Sequence, residues 1–265
     1  MSITSNRKLV HGMSLCADPA REECFKVVQR DSEMEQFEDD MCAAARREKL
    51  HRHMNNEIGS IEIAAQCLAD FPDAPWGLRF QLARQTYDEC RHVEGLHDRL
   101  TELGGFKGEF PISNFEWSVT NVQDSLAARL AIQNRSFEAG QMDLLGTLRQ
   151  LWRAVGDERT AALIETILAD EVNHVRFGNR WIRKLVEGDR RVLLKVAMAV
   201  RFLDEVNSRA LAGESQDHQG RKIKDHARVG VNVEDRRNAE FSDDEINQIL
   251  RQFGMGALAS AKPSG

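Results

Sequence analysis

Two segments of the chain share the pattern Asp-Glu-x-x-His, at residues 88–92 and 170–174. A Glu and a His that stand three positions apart lie side by side on one face of a helix. The residues before and after each segment at helical spacing are mostly apolar, so this face should point into the protein core. A buried carboxylate takes up a proton or destabilises the fold unless a partner compensates its charge. Together the two segments predict a shared, buried cation.

Two further glutamates complete a pattern that is typical of di-metal sites in helix bundles. Glu57 precedes Glu89 by 32 positions and Glu138 precedes Glu171 by 33, and both lone acids lie on apolar helical stripes. Such sites take one Glu from each of two helices and one Glu-x-x-His from each of the other two. We expect Glu89 and Glu171 to bridge two metal ions at the reacting centre, with the lone acids as terminal ligands. The predicted ligands are Glu57, Glu89, His92, Glu138, Glu171 and His174.

Four more acids are assigned to the layer around these ligands. A metal-bound His usually donates its second ring N–H to a carboxylate, so Asp88 and Asp170 should each bond the His of the opposite segment. Glu62 and Asp143 each follow a lone Glu by five positions. They either support the site or form exposed or intrahelical salt bridges.

The short Glu-x-x-His pattern also occurs by chance, and a third copy is present at Glu94 and His97. It lies on a more polar helical face and has no preceding Asp, so we expect it in solvent. For the whole constellation, the alternative to a metal site is a set of buried ion pairs.

The donor set indicates which metal would bind. Four carboxylates and two imidazoles suit iron or manganese better than zinc, which prefers four-coordinate sites that are often rich in sulfur. Four carboxylates also balance the charge of two divalent ions. The predicted cofactor is two iron ions, with an Mn/Fe pair as the alternative.

Apolar periodicity, proline and glycine predict the helices that position these residues. Four long helices are expected at about 46–69, 75–103, 121–155 and 157–187, with a long link at 104–120. One long connection between two pairs of closely linked helices is the pattern of a four-helix bundle with one crossover. The fold class is therefore all-α.

Two extensions flank this predicted bundle domain at 46–187. Residues 1–45 are interpreted as an N-terminal helical wrap, with a short helix after Asp18-Pro19. Residues 188–265 are interpreted as a C-terminal helical extension with a fifth helix at 189–212, a polar surface segment at 213–240, a short capped helix from Ser242 and a flexible tail.

Composition narrows the class of protein. The 265 residues carry a formal net charge of −6, which gives no electrostatic sign of nucleic acid or of an anionic membrane as a partner. No apolar run approaches the length of a membrane-spanning helix. Five cysteines without a CxxC motif are interpreted as free thiols, which favours a cytoplasmic location.

Four segments resemble the ferritin-like superfamily of di-iron carboxylate proteins, and more narrowly a branch catalogued mainly as a domain of unknown function. They are residues 57–62, 88–92, 137–143 and 170–181, the last being the most specific. The resemblance covers about residues 46–187 and implies the fold and the same six ligands. It does not fix a reaction, because the superfamily includes ferritins, hydroxylases, desaturases, N-oxygenases and radical-generating subunits.

Three functions remain open from the sequence. The first is an O2-dependent oxidoreductase, an oxygenase or oxidase that hydroxylates, desaturates or N-oxygenates a small organic substrate. Small residues near the inward faces would leave room for that substrate or would let the helices pack closely; they are Gly59, Ala64, Ala65, Gly140 and Gly178. The second is a ferroxidase or iron-handling protein, and the third a non-catalytic interaction protein with a structural metal. An electron donor and a homodimer are compatible with the first function.

Overall fold

The computed structural model describes residues 6–213, 230–256 and 258. Within these ranges the chain is mainly helical. The helices are α1 (Ala43–Asp70), α2 (Trp76–Glu102), α3 (Phe115–Thr120), α4 (Leu126–Ile132), a π-helical segment (Gln133–Glu138), α5 (Ala139–Ala154), α6 (Glu158–Val186), α7 (Arg190–Gly213), α8 (Val233–Asn238) and α9 (Asp243–Gln252). The strands are β1 (Arg7–Val10), β2 (Met13–Cys16), β3 (Val27–Val28) and β4 (Ile112–Ser113).

The four long helices of the prediction form the centre of the molecule. Helix α1 packs along α2, the continuous rod from α4 through the π-helical segment to α5 packs along α6, and α2 also contacts α6. The long connection between α2 and α4 contains β4 and α3. The chain thus adopts the all-α bundle with one crossover that the sequence predicts.

Local sequence explains where these helices begin and end. Helix α1 ends just before Pro72, which cannot continue a helix interior. The Asp157 side chain accepts a hydrogen bond from the backbone N–H of Thr160 and so caps α6. Ser242 and Glu245 form the predicted capping box at the start of α9.

The third rod differs from its prediction. It begins at Leu126, five residues later than expected, and its middle is π-helical from Gln133 to Glu138. A π-helical segment inserts an extra residue into a turn and often occurs at functional sites. Here it carries the predicted ligand Glu138.

The predicted N-terminal helical wrap is wrong. Strands β1 and β2 pair antiparallel with Val10 opposite Met13, and β3 pairs in parallel with β4 of the crossover. His11 and Gly12 both have positive φ, at 47° and 74°, which is the backbone of a two-residue hairpin turn. The Asp18 carboxylate, expected to start a helix, instead accepts a 2.6 Å hydrogen bond from Lys8 Nζ.

The C-terminal extension belongs to the core. Helix α7 matches its prediction within a residue at each end. Most of the predicted surface segment, residues 214–229, lies outside the described residues, and so does most of the predicted flexible tail. The described part of the surface segment contains α8, where Arg236 and Ala239 are buried, so the surface assignment is wrong there. No helix in the described ranges is long and apolar enough to cross a membrane, and all five cysteines are free thiols.

Two apolar clusters leave a polar layer between them. On α1, Met54 belongs to one cluster and Ile63 to the other, and on α2 the corresponding residues are Leu96 and Leu82. Glu57, Glu89 and His92 lie between these positions. The packing of the bundle therefore places polar side chains at mid-height with apolar layers on both sides.

Candidate metal centre

The six predicted ligands converge in the polar layer of the bundle. None is more than 2% exposed. One group comprises Glu57, Glu89, His92 and Glu171, and the other Glu89, Glu138, Glu171 and His174. In each group, one ligand atom from every residue lies within 4.8 Å of the others. Glu89 and Glu171 belong to both groups, which is the geometry expected of bridging carboxylates.

Unpartnered polar atoms show that this cluster suits cations. Both carboxylate oxygens of Glu171 and Nδ1 of His174 are buried and have no hydrogen-bond partner among the described residues. His174 Nδ1 lies 3.3 Å from Glu89 Oε1 and 3.4 Å from Glu171 Oε2. Buried acceptors without donors are rare in folded proteins, and a cation between them satisfies several at once. The oxygen and nitrogen donors, without sulfur, fit iron or manganese.

The outer ring nitrogens of the two histidines contact the two aspartates, across the helices, as predicted. His174 Nε2 lies 3.4 Å from Asp88 Oδ2, and His92 Nε2 lies 3.2 Å from Asp170 Oδ2. Each imidazole therefore presents Nδ1 to the cluster and Nε2 to a carboxylate of the other helix. This contact orients the ring and fixes which nitrogen carries the proton.

Arg91 links the two aspartates and was not foreseen from the sequence. It donates hydrogen bonds of 2.5 Å to Asp88 and 3.0 Å to Asp170. Burial raises the pKa of Asp88, but the hydrogen bonds from His174 and Arg91 outweigh burial and hold that pKa well below its usual range. Asp88 is therefore a permanent anion. The signal in the sequence is the position of Arg91, one helical turn after Asp88.

Amide side chains hold the two terminal carboxylates. Glu138 accepts hydrogen bonds from Gln85 and, at 3.0 Å, from Asn134 Nδ2. Glu57 accepts one of 2.6 Å from Gln141 Nε2 and lies 2.6 Å from His53 Nε2. Because amides are uncharged, the spacing of charged residues alone does not reveal them.

The protonation of the cluster follows from its burial. Burial, reinforced by the charge of Glu89, raises the pKa of Glu171 to about 8, and burial with the charge of Glu171 raises that of Glu138. Burial lowers the pKa of His92, but contacts with Glu57 and Glu89 outweigh it and raise that pKa to about 11. In the absence of metal, protons on Glu171, Glu138 and the two histidines therefore compensate part of the carboxylate charge.

Two assignments to the layer around the ligands are wrong. Glu62 forms a two-pronged ion pair of 2.6 and 2.8 Å with Arg21 of the N-terminal segment. Asp143 is buried against Arg236 of α8, with Oδ2 2.5 Å from the guanidinium. Five positions along a helix rotate a side chain by roughly 140°, so both acids point away from the ligand face. Glu94 and His97 are exposed, as expected of the chance copy.

Glu116 was missed because α3 lies in a stretch predicted to be a loop. Burial and the charges of Glu57 and Glu89 raise its pKa to about 7, and its side chain is hydrogen-bonded to Gln133. Gln133 Nε2 in turn lies 3.5 Å from Glu138 Oε1. Glu116 also lines a cleft of about 460 Å³ between α1 and the N-terminal segment of the chain.

Comparison with known proteins finds two relatives over about half of the chain and one family over most of it. A bacterioferritin from Mycobacterium avium and one from Mycolicibacterium paratuberculosis (strain ATCC BAA-968 / K-10) are each 29% identical to the chain over 128 residues, covering 48% of this chain and 67% of the relative. No solved structure matches. A family model described as "Protein of unknown function (DUF455)" matches residues 3–247. Because that match spans most of its length, the chain belongs to the DUF455 family.

Proposed function

We propose that this protein is an O2-dependent non-haem di-iron oxidoreductase that acts on a small organic substrate. The observation that carries the proposal is the pair of residue groups that share Glu89 and Glu171, together with two Glu171 oxygens that accept no hydrogen bond from any described residue. Glu57 and His92 would hold one ion, Glu138 and His174 the other, and the shared glutamates would bridge them. Two bound iron ions, or an Mn/Fe pair, would supply redox chemistry with O2.

The residues around the ligands give this proposal its physical basis. Asp88, Asp170 and Arg91 hold both imidazoles in one orientation. The amides of Gln141 and Asn134 restrain the terminal carboxylates. Since the ligands are at most 2% exposed, bulk water is excluded. A rigid, dry donor set of this kind favours controlled redox chemistry over ion exchange.

An organic substrate is favoured over iron as the substrate because of the cleft beside α1. Glu116 lines it and is hydrogen-bonded to Gln133, whose Nε2 lies 3.5 Å from Glu138 Oε1. Iron handling is the second candidate, and the similarity to the bacterioferritins supports it. A non-catalytic role with a structural metal is the third.

Anaerobic loading with Fe(II), followed by O2, tests the proposal. We expect about two irons per chain, an optical change on exposure to O2, and O2 consumption that rises with candidate organic substrates. Products should show the gain of an oxygen atom or the loss of two hydrogens by mass spectrometry. A Glu171→Gln variant serves as the control and should lose the optical change.

Other outcomes would favour the other candidates. Continued oxidation of Fe(II) far beyond the ligand capacity, with a large symmetric assembly by light scattering, would favour iron handling. Retention of a single zinc ion without any O2 reaction would contradict the oxidoreductase proposal. An electron donor and a dimeric state belong to the proposal and are tested by reductase-coupled turnover and by light scattering.

A further inference from the structure

A cleft of about 460 Å³ lies between the N-terminal segment, α1, the crossover and α7. This volume is within the range of small-molecule sites. One wall is apolar and mainly aromatic, formed by Met34, Phe115, Trp117 and Phe137. The Phe115 and Phe137 rings pack edge to face at 6.0 Å between centroids. The wall is thus a preformed surface for an apolar body.

Two buried amide side chains that line the same cleft have polar atoms without a partner among the described residues. Asn114 is 5% exposed, and neither its amide nitrogen nor its amide oxygen has a hydrogen-bond partner among the described residues. Asn55 is 3% exposed and donates to the Ser113 carbonyl at 3.0 Å, but its Oδ1 is unpartnered there too. Buried polar groups are nearly always hydrogen-bonded, so a rotation of the Asn114 amide toward the cleft would give these atoms a partner on a polar ligand group.

The charges around the cleft favour an anion. Arg30 is exposed on the lining and makes no ion pair within the described residues, whereas Arg52 pairs with Glu48 at 2.5 Å. His11 also lines the cleft. Glu116 is the acid on the lining, and burial first, then the charges of Glu57 and Glu89, raise its pKa to about 7, so its negative charge is incomplete at neutral pH.

The inner end of the cleft is joined to the candidate metal centre. Glu116 is hydrogen-bonded to Gln133, which donates to Ser60 Oγ at 3.0 Å and approaches Glu138. On α1 the main chain at Gly59 borders the cleft, and a Cβ added there would meet nothing within 4 Å. Two side chains, those of Glu116 and Gln133, thus connect the cleft with Glu138.

We infer that this cleft binds a small organic carboxylate with an apolar, preferably aromatic, body, with the carboxylate hydrogen-bonded by Arg30 and Asn114. Its role as the substrate rests on the proposed function, whereas the binding itself does not. Arg30 supplies a positive charge that no described acid pairs with, and Asn114 supplies an amide donor. The aromatic wall covers the apolar body.

Calorimetric titration of the full chain, both as purified and loaded with Fe(II) under argon, tests the ligand class. The probes are 4-phenylbutyrate, 4-phenylbutan-1-ol and 4-phenylbutylamine, which share one body and differ in charge. We expect the carboxylate to bind about tenfold more tightly than the alcohol, since hydrogen bonds to charged groups are stronger than neutral ones. Tightest binding of the amine, or equal affinity for all three, would overturn the assignment.

Two glycines provide a matched pair of variants for the location. Gly59→Leu places a side chain in the cleft and should abolish probe binding without lowering the thermal midpoint, because Leu is a better helix former than Gly. Gly140 also follows a predicted ligand by two positions, but it is exposed and outside the cleft lining. Gly140→Leu should bind the carboxylate as the wild type does. Unchanged binding by Gly59→Leu would refute the site.

Arg30→Gln tests the charge separately. It should reduce the preference for carboxylate over alcohol by about threefold and leave alcohol binding unchanged. An unaltered preference would contradict the role of Arg30. Probe binding without any O2 reaction of the Fe(II)-loaded chain would support the cleft and count against the proposed function. An O2 reaction without probe binding would support the proposed function and count against the cleft as a binding site.

Discussion

Protons and metal ions compete most directly at Glu171. Both of its oxygens are buried and accept no hydrogen bond within the part of the chain that the structure describes, while burial and the charge of Glu89 raise its pKa to about 8. Its neighbour His92 has a pKa raised to about 11 by Glu57 and Glu89, against the lowering effect of burial. At neutral pH the metal-free cluster therefore holds protons that a bound cation must displace.

This competition predicts proton release on metal binding. Glu138, Glu171 and the two histidines, whose pKa values are raised, must lose a proton to coordinate, so the apparent affinity for Fe(II) should rise between about pH 6 and pH 8. Calorimetry in buffers of different ionisation enthalpy should show several protons released per chain. Glu171→Gln should release fewer. Binding without proton release would contradict the raised pKa values of Glu171 and His92.

Asp88 gives a second prediction at the level of one residue. Its Oδ2 lies 3.4 Å from His174 Nε2 and orients that ring. Asp88→Ala should weaken metal retention roughly 10–100-fold in a chelator competition assay. The matched control is Asp98→Ala, an exposed acid on the same helix. Equal metal retention by both variants would refute the orienting role of Asp88.

Among the elements, the long helices were predictable and the short or irregular ones were not. Apolar stripes with Pro72 and Asp157 fixed α1 and α6 to within a few residues, because burial and capping are local. The π-helical segment at 133–138 depends on packing against α6, and the pairing of β3 with β4 joins residues far apart in the chain. No local pattern encodes either feature.

Close packing between α6 and the π-helical segment carries a third prediction. A Cβ at Gly178 would lie 2.5 Å from Cβ of Asn134, which donates to Glu138. Gly178→Ala should therefore destabilise the fold by about 1–3 kcal/mol, as overpacking does, and weaken metal binding. Gly140→Ala, in open space, should do neither. Urea unfolding and chelator competition measure the two effects, and a fully stable Gly178→Ala would contradict the close approach.

Docking of α8 on α5 carries a fourth prediction. Arg236 and Asp143 are buried together, with a 2.5 Å contact. Removing Arg236 leaves the Asp143 carboxylate buried without its counter-ion. Arg236→Met should therefore lower the unfolding free energy by about 3–5 kcal/mol. Pairing it with Asp143→Leu should recover much of that loss. Metal content should stay unchanged in Arg236→Met and in the double variant. Metal loss from Asp143→Leu alone would instead support the predicted role of Asp143 beside the ligands.

Over the whole molecule, the sequence predicted the six side chains that cluster in the bundle but not what surrounds them. Six charged or titratable side chains stand at apolar, core-facing positions. Burying a charge without a partner is so unfavourable that such positions indicate a site. Gln141, Asn134 and Arg91 complete the site through contacts between helices, and Glu116 reaches it from the crossover. These contacts depend on how the helices pack, so spacing along one helix does not predict them.

Metal removal tests whether the bundle depends on its ions. Apolar clusters lie on both sides of the site, and protons can replace the cations, so the chelated chain should remain folded at neutral pH. The raised pKa of Glu171 contributes to the unfolding free energy, and this contribution is complete below pH 4.5, the ordinary pKa of a glutamate. It is lost as the pH rises through about 8. The contribution of His92 to the unfolding free energy is complete below pH 6.5 and is lost as the pH rises through about 11. The unfolding free energy of the chelated chain should therefore fall with rising pH.

The metal-loaded chain should lack this decline, because bound cations replace the protons at every pH in the range. Urea unfolding of both forms between about pH 6 and pH 9 measures the difference. A chelated chain that is unfolded throughout that range would favour the structural-metal alternative. A chelated chain whose stability rises with pH would show that the carboxylates are ionised without a cation, which the burial of Glu171 and Glu138 opposes.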